Sequence, residues 1–350
     1  MTSLVLGAVF AIALVVSLIA TPVAIALARR GGFMAVPGQV KHIHRIPVPR
    51  LGGLPLFLGF MFAVAFALWT SPLVTPPAGP DPREPTRLVG LILGATVAFA
   101  LGVLDDRVEL SPNPQFLGQF LAAAIAVYFG IRIDAIANPL GGGMLFFPLW
   151  LSVPLTFFWI VLAMNTINWL DGLDGLAAGI GAIAAITLFL RSVTMIQPQY
   201  SIAMLLLALA GSSLGLLPFN FHPARIFLAG GAYLLGFLLG ALSIIGGTKG
   251  ATFLLVLSIP ILDLAWQILN RLLHGRSPVR GDRGHLHHRL FDLGISQPRV
   301  VFAYYAFSAF LGSLALVLPH PWEKYLALAT SAALALAVMV YLAQTRARPG

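Results

Sequence analysis

Apolar stretches of about the length needed to cross a lipid bilayer recur along nearly the whole chain. They are rich in Leu, Ala, Val and Gly and lack the period-two alternation of a transmembrane β-barrel, which excludes that fold. The pattern predicts an all-α, polytopic membrane bundle that forms a single domain over residues 1–350. Eleven spans are expected, near residues 4–27, 51–71, 88–104, 116–131, 149–167, 175–190, 201–217, 230–246, 251–269, 300–318 and 325–343.

Composition excludes several other classes of protein. Hydrophobic residues make up 59% of the chain and charged residues 9%, which excludes a soluble enzyme, a disordered tail and a coiled coil. Cysteine is absent, so there is no disulfide framework, thiolate nucleophile or cysteine-bound zinc. The net charge of +9 favours membrane lipid headgroups or an anionic substrate as partners. No nucleic acid partner is expected, because no basic run is interleaved with aromatic residues.

The distribution of Lys and Arg predicts the orientation. With the N-terminus outside and the C-terminus cytoplasmic, 15 of these residues fall on the cytoplasmic side and 6 outside, as the positive-inside rule requires. Eight of the 12 acids and seven of the eight histidines fall on the cytoplasmic side as well. This distribution favours a cytoplasmic active site over the simpler explanation, which is that the inner loops are longer.

Four polar residues recur every third position at the end of an apolar run: Asn165, Asn168, Asp171 and Asp174. In a helix they form a polar stripe on one side. Because an acid inside a membrane costs about 2.5–3.5 kcal/mol, both carboxylates are expected in water, at a metal or against a partner. Helix bridging by Asn and capping by Asp explain one or two of these residues, but not easily all four.

A second acidic site, Asp105-Asp106 with Glu109, directly follows the third predicted span. Adjacent carboxylates repel, and a divalent cation is a common reason to keep them together. Oxygen ligands without cysteine favour Mg²⁺ or Mn²⁺ over zinc. For the pair alone, a helix cap in a solvated loop is an equally good interpretation.

Two basic segments contain histidines. The Gly- and Pro-containing segment 277–289 includes His285, His287, His288 and Arg289, which suit phosphate recognition. Zinc binding and an electrostatic contact with the membrane surface are the alternatives. Segment 41–53 includes His44 and Arg50 and enters the second span through a Pro/Gly turn, where it could seat an anion.

These parts together suit a metal-assisted phosphoryl transfer from a soluble nucleotide to a lipid acceptor. In order and spacing, five segments resemble the polyprenyl-phosphate N-acetylhexosamine-1-phosphate transferases (glycosyltransferase family 4), and the His-Leu-His-His loop is similar to the branch that loads GlcNAc-1-phosphate onto undecaprenyl phosphate. The segments are 44–53, 105–109, 165–176, 219–228 and 277–290.

The resemblance implies a bacterial inner-membrane enzyme that uses UDP-GlcNAc, undecaprenyl phosphate and Mg²⁺ or Mn²⁺ and releases UMP. It implies that Asp105 is a candidate base for the lipid phosphate, that Asn168 faces the metal-bound diphosphate, and that Asp174 contacts uracil in a pocket shaped by Asp171. The implied catalytic residues are Asp105, Asp106 and Asp171; the implied metal ligands are Asp105, Asp106 and Asn168; the implied substrate-binding residues are His44, Arg50, Asn165, Asp174, His285, His287, His288 and Arg289.

The chain departs from the family pattern at three places. The family usually has a Gly-Asp pair, with the Asp a metal ligand, where this chain reads Phe227-Leu-Ala-Gly-Gly-Ala-Tyr233, which is shorter and has no acid. Ala35 stands where the family commonly has Asp, and Gln115 where a Lys is frequent. A catalytically inactive homologue that binds lipid or nucleotide is therefore one alternative. A secondary transporter is another, although no internal repeat of the Asn/Asp pattern is found. Gly-x-x-x-Gly pairs would allow close helix approach within the bundle or across a homodimer.

Overall fold

The computed structural model describes residues 2–36, 46–70, 81–139, 141, 143–245, 249–273, 275 and 285–346. Within these ranges the strands form two antiparallel pairs, β1 (Met34–Ala35) with β2 (Val48–Pro49) and β3 (Ala135–Ala137) with β4 (Met144–Phe146). The helices of the described ranges are α1 (Thr2–Gly31), α2 (Gly53–Thr70), α3 (Glu84–Val108), α4 (Pro112–Tyr128), α5 (Leu149–Leu170), α6 (Leu176–Val193), α7 (Tyr200–Asn220), α8 (Gly231–Ile244), α9 (Gly250–Val256), α10 (Ser258–Leu273), α11 (Leu286–Asp292), α12 (Gln297–Val317) and α13 (Pro321–Arg346).

The apolar helices support the predicted polytopic membrane fold. Eight helices of the described chain are long and apolar enough to cross a membrane, namely α1, α2, α3, α5, α6, α7, α12 and α13. The pair α9 and α10 would add a ninth span, although its two helices meet at 75°. Helices α4 and α8 coincide with predicted spans but are shorter, at 17 and 14 residues. The count of eleven spans and the orientation of the termini stay predictions.

Helix α8 lies at the centre of the bundle, because all of its residues are buried. It packs against α3, α5 and α6. Gly236 makes the contact with α5 close, since a Cβ at this position would lie 2.6 Å from the Cα of Met164. Gly215 does the same for α7 and α1, where an added Cβ would lie 2.4 Å from the carbonyl oxygen of Leu14. These Gly-x-x-x-Gly contacts therefore form within the chain, and a homodimer stays a prediction.

Helix directions bring the predicted acidic residues to one end of the bundle. Helices α3 and α5 end there, while α2 and α8 begin there. Backbone hydrogen bonds join the adjoining loops: the amide of Gly52 donates to the carbonyl of Phe227 at 3.0 Å, and the amide of Phe227 donates to the carbonyl of Pro49 at 2.9 Å. This end, called the acidic end below, is therefore closed by residues from distant parts of the sequence.

Candidate active site

Two consecutive backbone amides hold carboxylates from two different helices. The amide of Gly230 donates to Asp106 Oδ1 at 2.9 Å, and the amide of Ala229 donates to Asp171 Oδ2 at 2.8 Å. Ala229 has a φ of 49°, a left-handed conformation that costs a non-glycine residue about 1 kcal/mol. Strained backbone of this kind concentrates at functional sites. The loop before α8 thus gathers the ends of α3 and α5 into one anionic centre.

Asp105 is held by neutral donors. Its Oδ1 accepts hydrogen bonds from the amide of Leu110 at 2.9 Å and from Gln115 Nε2 at 3.1 Å. Its Oδ2 accepts one from the buried hydroxyl of Tyr233 at 3.3 Å. The Asn168 side chain also hydrogen-bonds the Tyr233 hydroxyl, so the predicted diphosphate-facing amide lies next to Asp105. Asp105, Asp106 and Asn168 therefore belong to one constellation.

Arg50 supplies the positive charge at this centre. Its Nε lies 3.7 Å from Asp106 Oδ1, and its Nη1 donates to Glu109 Oε1 at 2.7 Å. The guanidinium is only partly exposed, since the backbone hydrogen bonds of β2 and the adjoining loop draw it against the end of α3. Arg50 and Glu109 are 59 residues apart in the sequence, so this ion pair joins two distant segments of the chain.

The electrostatic surroundings keep one carboxyl partly protonated near neutral pH. Burial raises the pKa of Asp171 to about 7, and the nearby negative charge of Asp174 adds to the rise. The hydrogen bond from the amide of Ala229 and the positive charge of Arg50 oppose it. A carboxyl with this pKa can accept or release a proton at physiological pH.

The two ends of the polar stripe have different surroundings. Asp174 Oδ2 lies 2.9 Å from His222 Nδ1 and accepts a hydrogen bond from the amide of Ala224 at 3.2 Å. Asn165, in contrast, exchanges hydrogen bonds with Gln119 on α4, with its Nδ2 donating to Gln119 Oε1 at 2.6 Å. Asn165 therefore ties α5 to α4, whereas Asp174 lies at the open end of the site.

The histidine-containing segment packs beside the end of α5. His285 Nδ1 lies 2.9 Å from Asp263 Oδ2 on α10, and the amide of Leu286 donates to Asp263 Oδ1 at 2.9 Å. The ring of His285 meets Trp169 edge to face at 5.4 Å and stacks on His287 at 5.6 Å. Both histidines are buried and do not extend freely into solvent. This stacked pair is called the His285–His287 wall below.

The site thus combines buried histidines with clustered carboxylates at one end of a polytopic helical bundle. Residues 88–247 match the model of glycosyl transferase family 4. The probable undecaprenyl-phosphate N-acetylglucosaminyl 1-phosphate transferase of Bacillus subtilis (strain 168) is 33% identical over 324 residues, which cover 88% of this chain and 84% of that protein. The chain belongs to glycosyl transferase family 4.

Two further relatives in this family carry different names. The decaprenyl-phosphate N-acetylglucosaminephosphotransferase of Mycobacterium leprae (strain TN) is 36% identical over 84% of this chain and 78% of that protein. The phospho-N-acetylmuramoyl-pentapeptide-transferase of Geobacillus kaustophilus (strain HTA426) is 30% identical over 85% of this chain and 92% of that protein. The predicted family is thus confirmed, and the names of the relatives differ in the lipid and in the group transferred.

Among its described residues, this family 4 chain shows no complete protein-only site for the metal ion that the family implies. Within the described ranges no group of three or more His, Asp or Glu residues is placed to hold an ion. Position 230 cannot supply another acid in this backbone arrangement, because a Cβ there would lie 2.1 Å from the carbonyl oxygen of Gly102. Asp105 and Asp106 offer hard oxygen donors that also accept hydrogen bonds from the protein, and Mg²⁺ is commonly bound by one or two carboxylates together with substrate phosphates.

The structure brings most of the sequence-predicted residues to the acidic end and adds four that sequence reasoning missed. Tyr233, Gln119, His222 and Asp263 are the missed partners. Asp263 carried a usable signal, since an acid inside a predicted membrane span marks a functional site by default. His222 lies in segment 219–228, one of the five that resemble the family, whereas Tyr233 and Gln119 had no local pattern. Arg289 is partly buried on α11, whereas His44 and the side chain of His288 lie outside the described residues.

Proposed function

We propose that the chain transfers GlcNAc-1-phosphate from UDP-GlcNAc to undecaprenyl phosphate and releases UMP. Polyprenyl-phosphate hexosamine-1-phosphate transfer is the reaction class that the family supports. The observation that carries the proposal is the convergence of Asp106 and Asp171 on the Ala229 and Gly230 amides beside Asp105. The product would begin the synthesis of a cell-wall or surface polysaccharide, such as a teichoic acid or lipopolysaccharide.

The proposed reaction replaces one phosphoric anhydride bond with another. An oxygen of the lipid phosphate attacks the phosphorus that carries the sugar, and the bond from that phosphorus to the bridging oxygen of UMP breaks. UMP leaves with the electron pair of that bond. Asp105 and Asp106 would lie at the reacting phosphates, with Asp105 as the candidate base for the lipid phosphate. Asp171 would shape the nucleotide pocket, where its pKa of about 7 permits it to hold or release a proton.

Binding of the substrates is assigned to the surrounding cations and amides. Arg50, with Arg289 and the His285–His287 wall, would meet phosphate and sugar oxygens, and Asn168 would face the diphosphate. Asp174, at the open end, would accept hydrogen bonds from uracil. His44 and His288 are proposed for the same phosphate and sugar contacts on the basis of sequence alone. Mg²⁺ or Mn²⁺ dependence stays a prediction, and no step above passes through the ion.

The membrane arrangement is part of the proposal. Eleven spans, an outside N-terminus and a cytoplasmic C-terminus would put the acidic end at the cytoplasmic face of the bacterial inner membrane. UDP-GlcNAc is then available from the cytoplasm and undecaprenyl phosphate from the bilayer. The excess of Lys and Arg on the same side supports this orientation.

The decisive experiment measures UMP release by the purified chain with Mg²⁺, UDP-GlcNAc and undecaprenyl phosphate. UDP-GalNAc and UDP-MurNAc-pentapeptide as donors, and decaprenyl phosphate as acceptor, separate the proposed substrates from those of the relatives. Asp106→Asn is expected to abolish release. Asp134 precedes β3 and accepts a hydrogen bond at 2.8 Å from Ser152 Oγ in the first turns of α5, away from the acidic end. Asp134→Asn is therefore the matched control and is expected to retain release. If UMP is released only with another donor and acceptor, that donor and acceptor replace the proposed substrates.

A binding-only homologue is the second candidate function. It is favoured by one observation, which is that the described residues hold no three-ligand metal group and leave no room for an acid at Gly230. In that case the purified chain would bind a uridine nucleotide but release no UMP with any donor. That combination of results would reject the transferase proposal.

A further inference from the structure

Three cations gather at the end of the bundle opposite the acidic end. Helix α6 begins beside the acidic end at Leu176 and carries Arg191 in its last turn. Lys249 precedes α9, and Lys324 lies in the first turn of α13. The Lys249 ammonium donates to Gln199, whose backbone amide donates at 3.0 Å to the carbonyl oxygen of the residue after Arg191. Helix α9 packs against α13, so the three cations lie on adjoining elements. This group is called the basic cluster.

The two lysines of the basic cluster are buried. Lys249 is 0% exposed and Lys324 is 5% exposed. The Lys249 ammonium donates to Gln199 Oε1 and to the carbonyl oxygen of Ile245. These two bonds use two of its three N–H groups. The Nε of Arg191 is buried and has no hydrogen-bond partner in the described part of the chain. A buried donor without an acceptor costs about 1–3 kcal/mol, so an acceptor at Arg191 Nε would stabilise the cluster.

Among the described residues, the cluster has little compensating negative charge. Glu323 is the acid that acts on Lys324, and its carboxylate accepts a hydrogen bond from the amide of His320 at 3.0 Å. Arg191 is the charged group that acts on Lys249. Burial, together with this repulsion, lowers the pKa of Lys249 to about 7. Three cations against one acid are stabilised when an anion joins them.

Exposed tryptophans indicate the depth of this end in a bilayer. Trp69 lies at the end of α2, and Trp150 and Trp322 lie at the starts of α5 and α13, all away from the acidic end. Exposed tryptophans at helix ends are typical of the headgroup region. The basic cluster, whose Lys324 is two residues from Trp322, is therefore at the depth of phospholipid phosphates.

We propose that Arg191, Lys249 and Lys324 form a phosphate-binding site on the membrane face opposite the candidate active site. A phosphate offers acceptors to the guanidinium and to both ammonium groups at once. The phosphate comes from the headgroup of an anionic phospholipid or from free inorganic phosphate. The site uses none of the residues of the proposed transfer reaction, so it goes beyond that function and can be tested without it.

The experiment measures the thermal unfolding midpoint of the full chain in neutral detergent with added dioleoylphosphatidylglycerol, dioleoylglycerol or inorganic phosphate. The phospholipid is expected to raise the midpoint more than dioleoylglycerol, which has the same acyl chains and no phosphate. Arg191→Gln and Lys324→Gln are each expected to weaken the apparent affinity about fivefold, since one basic contact contributes about 1 kcal/mol. Without ligand, both variants are expected to unfold at or above the wild-type midpoint, because one repelling cation is gone.

Matched variants and salt make the test decisive. Arg83→Gln removes an exposed cation next to α3 at the same end, and Lys324→Arg keeps the charge; both are expected to bind as the wild type does. A response to inorganic phosphate alone would assign the site to free phosphate. Equal shifts with phospholipid and dioleoylglycerol, or equal binding by Arg191→Gln and Arg83→Gln, would overturn the proposal. If a variant fails to fold, the wild type alone suffices, because phospholipid binding that does not weaken as NaCl increases would also overturn the proposal.

Discussion

Oδ2 of Asp263 lies 2.9 Å from Nδ1 of His285, 22 residues further along the chain. Oδ1 of the same carboxylate accepts a hydrogen bond from the amide of Leu286 at 2.9 Å, so one acid orients the ring and holds the start of α11. A carboxylate at Nδ1 favours the tautomer in which this nitrogen carries the proton. The other nitrogen of His285 is then an acceptor, or a donor when the ring is protonated.

Asp263→Asn is expected to lower kcat/KM for UMP release about tenfold or more. The neutral amide weakens two hydrogen bonds to a charged acceptor, each worth about 1.5–3 kcal/mol, and no longer selects one tautomer of His285. Steady-state kinetics over a pH range is the measurement, since a changed tautomer shifts the pH profile. Asp134→Asn is the control at the other end of α5. An unchanged profile in Asp263→Asn would show that the pair has only a structural role.

The contact between Gly102 and Gly230 sets a second expectation. A Cβ at Gly230 would lie 2.1 Å from a backbone oxygen, which cannot rotate away. Gly230→Ala is therefore expected to destabilise the chain by about 1–3 kcal/mol, the usual cost of overpacking, and to lower the thermal unfolding midpoint. Gly7→Ala, where no atom lies within 4 Å of the added Cβ, is the control and is expected to leave the midpoint unchanged or slightly higher. Equal midpoints in the two variants would contradict the close contact.

The helices could be predicted from the sequence, whereas their bends could not. Each apolar stretch coincides with a helix because burial and membrane contact both demand apolar residues. The stretch at 251–269 predicts one span, yet α9 and α10 meet at 75° around Leu257. Apolar residues suit a straight span and a broken one equally, so the pattern carries no information about this bend.

The candidate site could be predicted as a set of residues but not as a set of contacts. Asp105, Asp106 and Asp171 stand out because acids are rare in this chain and these follow apolar runs. The backbone amides that hold Asp106 and Asp171, however, are 124 and 58 residues away. A backbone amide has no sequence signature. The role of Ala229 and Gly230, which lie in the segment where the family usually has a Gly-Asp pair, therefore becomes visible only in the fold.

The raised pKa of Asp171 predicts a pH dependence of stability. The protonated form is favoured in the fold, so its stabilising contribution is fully present below the unfolded value of 3.8 and is lost as the pH rises through about 7. Asp171→Asn keeps an acceptor for the amide of Ala229 and removes the ionisation. The pKa values of the unfolded and folded states differ by about three units. The unfolding midpoint of Asp171→Asn is therefore expected to rise relative to that of the wild type as the pH increases from 4 to 8. Parallel curves would show that Asp171 does not titrate in this range.

Asp174 is expected to affect the nucleotide more than the lipid. Asp174→Ala should weaken UDP binding about tenfold, as expected when a charged hydrogen-bond acceptor is lost, and leave undecaprenyl phosphate binding nearly unchanged. Isothermal titration with each ligand separately is the measurement. Because Asp174 Oδ2 also lies 2.9 Å from His222 Nδ1, His222→Ala separates direct contact from loop support. If Asp174 contacts UDP directly, His222→Ala retains most of the UDP affinity. Equal losses of UDP affinity in both variants would instead assign Asp174 to holding the His222–Ala224 loop. If Asp174→Ala weakens lipid binding as much as UDP binding, Asp174 does not belong to the nucleotide pocket.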